Sequence, residues 1–104
     1  MAYKVIVTTD AHSNLDDCIS YILFEFKSEQ AALSVINDYE ETLKTLAIVA
    51  GSIRESENPK LAQRKLRRIN FRRHDYFMLY KVDGNVAIVT NIFHSSQDYE
   101  NKLY

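Results

Sequence analysis

Glycine occurs twice, proline once, cysteine once and tryptophan not at all in 104 residues, and each scarcity removes a class of structure. So little Gly and Pro leaves no room for flexible linkers or low-complexity segments. Gly51 and Gly84 lie too far apart to make a phosphate-cradling loop, and neither a Walker sequence nor G-x-S-x-G occurs, which disfavours nucleotide hydrolysis and serine-type catalysis. The lone Cys18 cannot close an intrachain disulfide, and on an apolar helix face it reads as a buried thiol. The three histidines, His12, His74 and His94, are scattered, with no Cys/His spacing of a zinc motif, so no metal and no cofactor is expected. No apolar run approaches the ~18 residues of a membrane span and no charged-then-apolar leader is present; the expectation is a cytoplasmic protein with no membrane partner.

What is present reads as one domain over residues 1–104, a length that buries roughly two-thirds of the unfolded surface without disulfide or metal. The net charge of −1 argues against a general nucleic-acid binder, but its distribution is uneven: residues 1–58 hold four Lys/Arg against ten Asp/Glu, residues 59–104 nine against four. A local basic patch suits a phosphate-bearing partner or an acidic protein equally. The expectation is a positive sheet face lined by residues 60–74 and His94, with a negative helix hairpin.

The pattern predicts an α+β fold: an N-terminal strand, a two-helix hairpin, then three antiparallel strands forming one sheet. Tyr3 to Thr8 is β-rich with apolar residues on both sides, which predicts a well-covered strand. Asp10 or Ser13 then caps a helix whose stripe is Leu15, Cys18, Ile19, Ile22, Leu23 and Phe26. Ser28 caps a second helix with a stripe of Leu33, Ile36, Tyr39, Leu43, Leu46, Ala47 and Ala50, closed by Gly51 at C′; Asp38, Glu40 and Glu41 read as its solvated face. Residues 52–59 read as an irregular loop. Arg67 to Phe71 is a short strand, joined through Arg72-Arg73-His74-Asp75 to a hairpin of Tyr76 to Val82 and Asn85 to Phe93 about Asp83-Gly84. Asp98 to Leu103 reads as a terminal turn or helix.

The candidate chemistry gathers in Lys60 to Tyr99. Lys60, Arg64, Lys65, Arg67, Arg68, Arg72 and Arg73, with His74, His94, Asp98 and several tyrosines, include the parts of metal-free RNA cleavage: cations for the phosphate and groups that move protons. Edge strands also carry Lys and Arg merely to remain soluble, so both readings stay open.

The order LRRI, YxxLYxVDGNVxIV, a late His and DYxxxL, from Leu66 to Leu103, resembles the C-terminal half of RelE/ParE-type toxins of bacterial type II toxin–antitoxin systems, and YKVIVT followed by DAHSNLDDCISYI is similar to their N-terminal half. The resemblance implies a growth-inhibiting toxin with a cognate antitoxin, docking apolar and acidic residues between helix hairpin and sheet. It implies one of three activities: a ribosome-dependent mRNA endoribonuclease with ribosome and mRNA as partners, an inhibitor that binds DNA gyrase, or a non-toxic antitoxin-binding module. For a nuclease it implies His94, Tyr99 and Arg68 as catalytic residues and Lys60, Arg64, Lys65, Arg72 and Arg73 as phosphate-binding ones. The chain departs from the RelE branch at Phe77 and Ser95, where that branch carries arginines, and this favours the gyrase alternative.

Overall fold

The computed structural model describes residues 2–97; Tyr99 and the expected terminal turn lie outside them. The elements run β1 (Lys4–Val7), α1 (Thr9–Glu25), α2 (Glu29–Val49), a 3-10 turn (Ala50–Ser52), α3 (Pro59–Gln63), β2 (Arg67–Asn70), β3 (Tyr76–Asp83) and β4 (Val86–His94). They form one four-stranded sheet of order β1-β4-β3-β2. β1 pairs parallel with β4, while β2, β3 and β4 are mutually antiparallel, so the α+β reading stands with a mixed sheet. β1 is nonetheless an edge strand, half covered, with Ile6 42% exposed.

α1 starts earlier than expected because Thr8, not Asp10 or Ser13, is its N-cap. The Thr8 hydroxyl accepts from the Ala11 amide (3.2 Å) and donates to the Thr90 carbonyl (3.2 Å), so one side chain ends β1, starts α1 and ties both to β4. Ser28 caps α2 as its sequence predicts, accepting from the Ala31 amide at 3.1 Å. The hairpin turns at Gly84-Asn85 rather than Asp83-Gly84: Asp83 still pairs with Val86, and of the two turn residues only Gly84 takes positive φ (61°), the pattern of a turn with glycine at its first central position. Residues 52–59 are less irregular than expected, since Glu55 bridges to Arg67. Asn58 then caps the short α3 by accepting from the Lys60 amide, with Pro59 at its first position.

The helices cover one face of the sheet. Ala11, Leu15 and Ile22 of α1 and Val35, Tyr39 and Leu46 of α2 meet Met78, Tyr80, Val89 and Ile92. On the other face Leu61 and Leu66 close over Phe77, Leu79 and Phe93. Because β3 is central and covered on both sides, Tyr76 to Tyr80 are all buried, each large side chain contributing roughly 1.5–3 kcal/mol. The helical stripes are narrower than the sequence pattern: Leu23, Phe26 and Leu33 are exposed.

The end of α2 is held by polar groups. The Tyr80 hydroxyl donates to the Ala50 carbonyl (2.8 Å), and Arg67 Nη1 donates to the carbonyls of Ala50 (3.2 Å) and Ile53 (3.1 Å), satisfying groups that a helix C-terminus leaves open. Burial, partly opposed by the Arg67 charge, pushes the Tyr80 hydroxyl up to about 12. Gly51 has no positive φ; it is small because a Cβ there would run into the Tyr3 hydroxyl and come within 2.9 Å of Tyr3 Cζ. Gly51→Ala should therefore destabilise by about 1 kcal/mol, the low end of overpacking costs. Urea unfolding should show that penalty vanish in a Tyr3→Ala background, whereas a penalty that persists would place its origin in the backbone.

Candidate functional site

A cleft of about 630 Å³ opens between α1 and the ends of β3 and β4, lined by Asn14, Asp17, Cys18, Tyr21, Ile22, Phe26, Tyr76, Asn91, Phe93, His94, Ser96 and Gln97. Asn14 pins its floor: Oδ1 accepts from the Ile92 amide (3.0 Å) and the Asn91 side chain (3.3 Å). Cys18, expected buried, is half-buried on this wall. On the cleft wall Tyr21 (59% exposed) and Phe26 (67% exposed) meet edge to face at 6.1 Å, and Phe24 is 80% exposed. Exposed aromatic side chains are uncommon on the surface of a monomer unless something covers them.

His94 stands at the end of this cleft, its ring 5.0 Å from that of Tyr76 and perpendicular to it. Its Nδ1 accepts from the Ser96 amide (3.0 Å) and lies 2.7 Å from the Ser96 hydroxyl. An amide can only donate, so the neutral ring carries its proton on Nε2. Burial pushes the Tyr76 hydroxyl up, with smaller contributions from Cys18 and Tyr21.

Arg68 is elsewhere. Tyr76 pairs with His94, and Arg68 pairs with Leu79; because successive strand residues alternate sides, His94 faces the helices and Arg68 the opposite side. There its guanidinium stacks 3.9 Å over the Phe77 ring and Nε donates to Asn70 (2.9 Å). Phe77, at the position where the RelE branch has an arginine, is fully buried against Phe93, and Ser95 is exposed.

The remaining basic residues separate in the same way, so the expected single positive face does not form. Lys60 on α3, Arg64 at its C-cap and Lys65, held at φ 57°, are exposed on the outer side, where Arg64 shares a hollow of about 280 Å³ with Leu66, Lys81, Thr90 and Asn91. Arg72 and Arg73 instead sit on the β2–β3 turn against α2. Arg73 approaches Glu41 at 3.9 Å between exposed side chains, a contact worth little in water. No cluster of three metal-ligating side chains is found among the described residues, and no helix among them is long and apolar enough to cross a membrane.

The β2–β3 turn is organised by Asp38, and here the sequence reading is overturned. Asp38 is fully buried; its carboxylate accepts from the amides of Arg72 (3.1 Å), Arg73 (3.0 Å) and His74 (3.0 Å) and lies 2.8 Å from His74 Nδ1. His74 Nε2 lies 3.2 Å from the Ser34 hydroxyl. The signal was available: Val35, Asp38, Tyr39, Thr42 and Leu46 share one helical stripe, so a carboxylate sits in the middle of an apolar face. Burial alone would raise its pKa, but the His74 ring and then the amides of Arg73, Arg72 and His74 outweigh it and hold the carboxyl below its usual 3.8.

A depressed pKa stabilises the fold above the unfolded value and loses that stabilisation as pH falls through the folded one. Asp38→Asn should thus cost about 3 kcal/mol near neutrality, with the gap to the wild type narrowing only below the ordinary value of 3.8. Urea titrations across pH check this, and a gap independent of pH would contradict it.

Against known proteins, the family model described as "ParE toxin of type II toxin-antitoxin system, parDE" matches residues 5–99. No curated protein matches the chain. A solved structure described as a chromosomal ParDE TA system from P. aeruginosa is similar in fold, with a TM-score of 0.72, 22% sequence identity and coverage of 89% of this chain and 96% of that one.

Proposed function

The chain belongs to the ParE toxin family of type II toxin–antitoxin systems, and from that premise we propose that it inhibits growth by binding DNA gyrase in the cytoplasm rather than by cutting RNA. A cognate antitoxin silences it by filling the cleft beside α1. The observation that carries binding over cleavage is the sheet between His94 and Arg68. Phosphoryl cleavage needs a proton-transfer group and a cation converging on one phosphate. The His94 ring instead meets Tyr76, its Nδ1 is occupied by Ser96, and Phe77 sits buried where the RelE branch has a cation. The test is a gyrase supercoiling assay beside ribosome-dependent transcript cleavage. Lost supercoiling with intact transcripts is expected, and cut transcripts abolished by His94→Ala would establish the nuclease instead. Neither effect would leave an antitoxin-binding module.

The lining of the cleft supports a reading of the antitoxin's chemistry. Tyr21, Ile22, Phe26, Tyr76 and Phe93 line it beside the polar Asn14, Asn91, His94, Ser96 and Gln97, its one carboxylate among the described residues is Asp17, and α1 carries Asp10, Asp16, Asp17 and Glu25 with no Lys or Arg. The complement is an amphipathic helix with apolar anchors and a basic residue opposite Asp17, the reverse of the acidic contacts expected from the sequence. Replacing Tyr21 and Phe26 together by Ser should weaken antitoxin binding by at least ~30-fold, about 2 kcal/mol for an aromatic anchor. Asp17→Lys should slow association in low salt more than in high. Calorimetry and stopped-flow measurement check both, with thermal melts unchanged because Tyr21 and Phe26 are exposed; undiminished affinity would move the antitoxin to another surface.

A further inference from the structure

We propose that Ser34 is an activated nucleophile that accepts acyl groups, with His74 as its general base and Asp38 orienting that base. The three residues form a chain: Ser34 Oγ lies 3.2 Å from His74 Nε2, and His74 Nδ1 lies 2.8 Å from Asp38 Oδ2. Direction follows from chemistry. Asp38 is fully buried and accepts three backbone amides, so it is ionised, as its lowered pKa also indicates, and can only accept. Nδ1 therefore carries the proton of the neutral imidazole, and the Nε2 lone pair is left to take the proton of Ser34. This is the division of roles in a serine–histidine–aspartate triad, which is recognised by geometry rather than sequence order.

Topology assembles it. Ser34 and Asp38 stand one turn apart on α2, which places them on the same side of the helix, and the β2–β3 turn delivers His74 between them. Exposure is graded as the chemistry requires: Asp38 is sealed, the His74 side chain is 27% accessible and Ser34 is open to solvent. The structural duty of the clamp is complete without Ser34, because Asp38 alone holds the turn amides and the ring.

The reacting partner is an acyl thioester or an activated ester. The Ser34 oxygen bonds to the carbonyl carbon while its proton passes to His74 Nε2. The bond from that carbon to the leaving sulfur or oxygen breaks, the leaving group takes the proton from Nε2, and an acyl ester remains on Ser34. The turn amides are occupied by Asp38 and leave no pair there for an oxyanion; such donors are worth about 10²–10³ in rate. The site is thus one of slow single acylation rather than rapid turnover, and it does not depend on the toxin's target.

The experiment treats the full chain with p-nitrophenyl acetate and maps acetyl groups by peptide mass spectrometry. Acetylation of Ser34 well ahead of the exposed Ser13 and Ser20 is expected, absent in Ser34→Ala and at least ~10²-fold slower in His74→Gln, the span of general-base catalysis. Wild type in urea supplies a second comparison, independent of whether His74→Gln folds, in which Ser34 should react no faster than Ser13 and Ser20. Acetyl confined to lysines and the N-terminus overturns the proposal. So does Ser34 labelling that survives urea unchanged, or that is as fast in a folded His74→Gln.

Discussion

A buried carboxylate on a helix face that otherwise packs apolar side chains and one threonine is the constraint on which this architecture turns. Asp38 enters the interior because three consecutive amides of the β2–β3 turn, at Arg72, Arg73 and His74, have no strand partner of their own and converge on it. An isolated buried charge would be expelled or neutralised; one that collects three amide protons and a ring nitrogen is retained. The consequence is positional. The turn is fixed to the middle of α2, which sets where β3 begins, and β3 is the central strand against which β2 and β4 both align.

From that strand outward, alternation decides the chemistry. Tyr76, Met78 and Tyr80 pack under the helices while Phe77 and Leu79 pack under Leu61 and Leu66, so each candidate side chain on the sheet is assigned to one face or the other by its place in the alternation. His94 is carried to the helix side by its pairing with Tyr76 and Arg68 to the outer side by its pairing with Leu79. Thr90 is the extra residue of the bulge between the Leu79 and Tyr80 pairings, and its hydroxyl donates to the Leu79 carbonyl at 3.3 Å. Beyond that bulge the alternation resumes with Val89 inward.

The surface divides correspondingly. The face beside α1 is aromatic with acidic relief, whereas the outer side near α3 collects Lys60, Arg64, Lys65, Arg68 and Lys81. These are two chemically different surfaces on one small toxin, and a sum over the sequence halves merges them. Charge counted along the chain reports how much basic character exists; the turn from β2 to β3 determines that Arg72 and Arg73 go to α2 while the others stay on the far side of the sheet.

What the sequence determined by itself follows from local chemistry. Alternating and 3.6-residue patterns, the Ser28 cap and the glycine turn at Gly84 are legible because each depends on neighbours within a few residues, and the order of motifs carried the family. Boundaries moved by a few residues where a longer contact won, as when Thr8 displaced Asp10 and Ser13 by also binding Thr90. Tertiary structure alone decided the rest. Gly51 is small because Tyr3, 48 positions away in the chain, lies over it; Asp38 is buried because amides 34 to 36 residues downstream need it. Ser34, Asp38 and His74 make no sequence motif, and they become a proton path only when strand pairing brings the turn onto the helix. Those contacts are long-range, and a hydrogen-bond partner or a sheet face is a property of the packed chain, which no local window of the sequence contains.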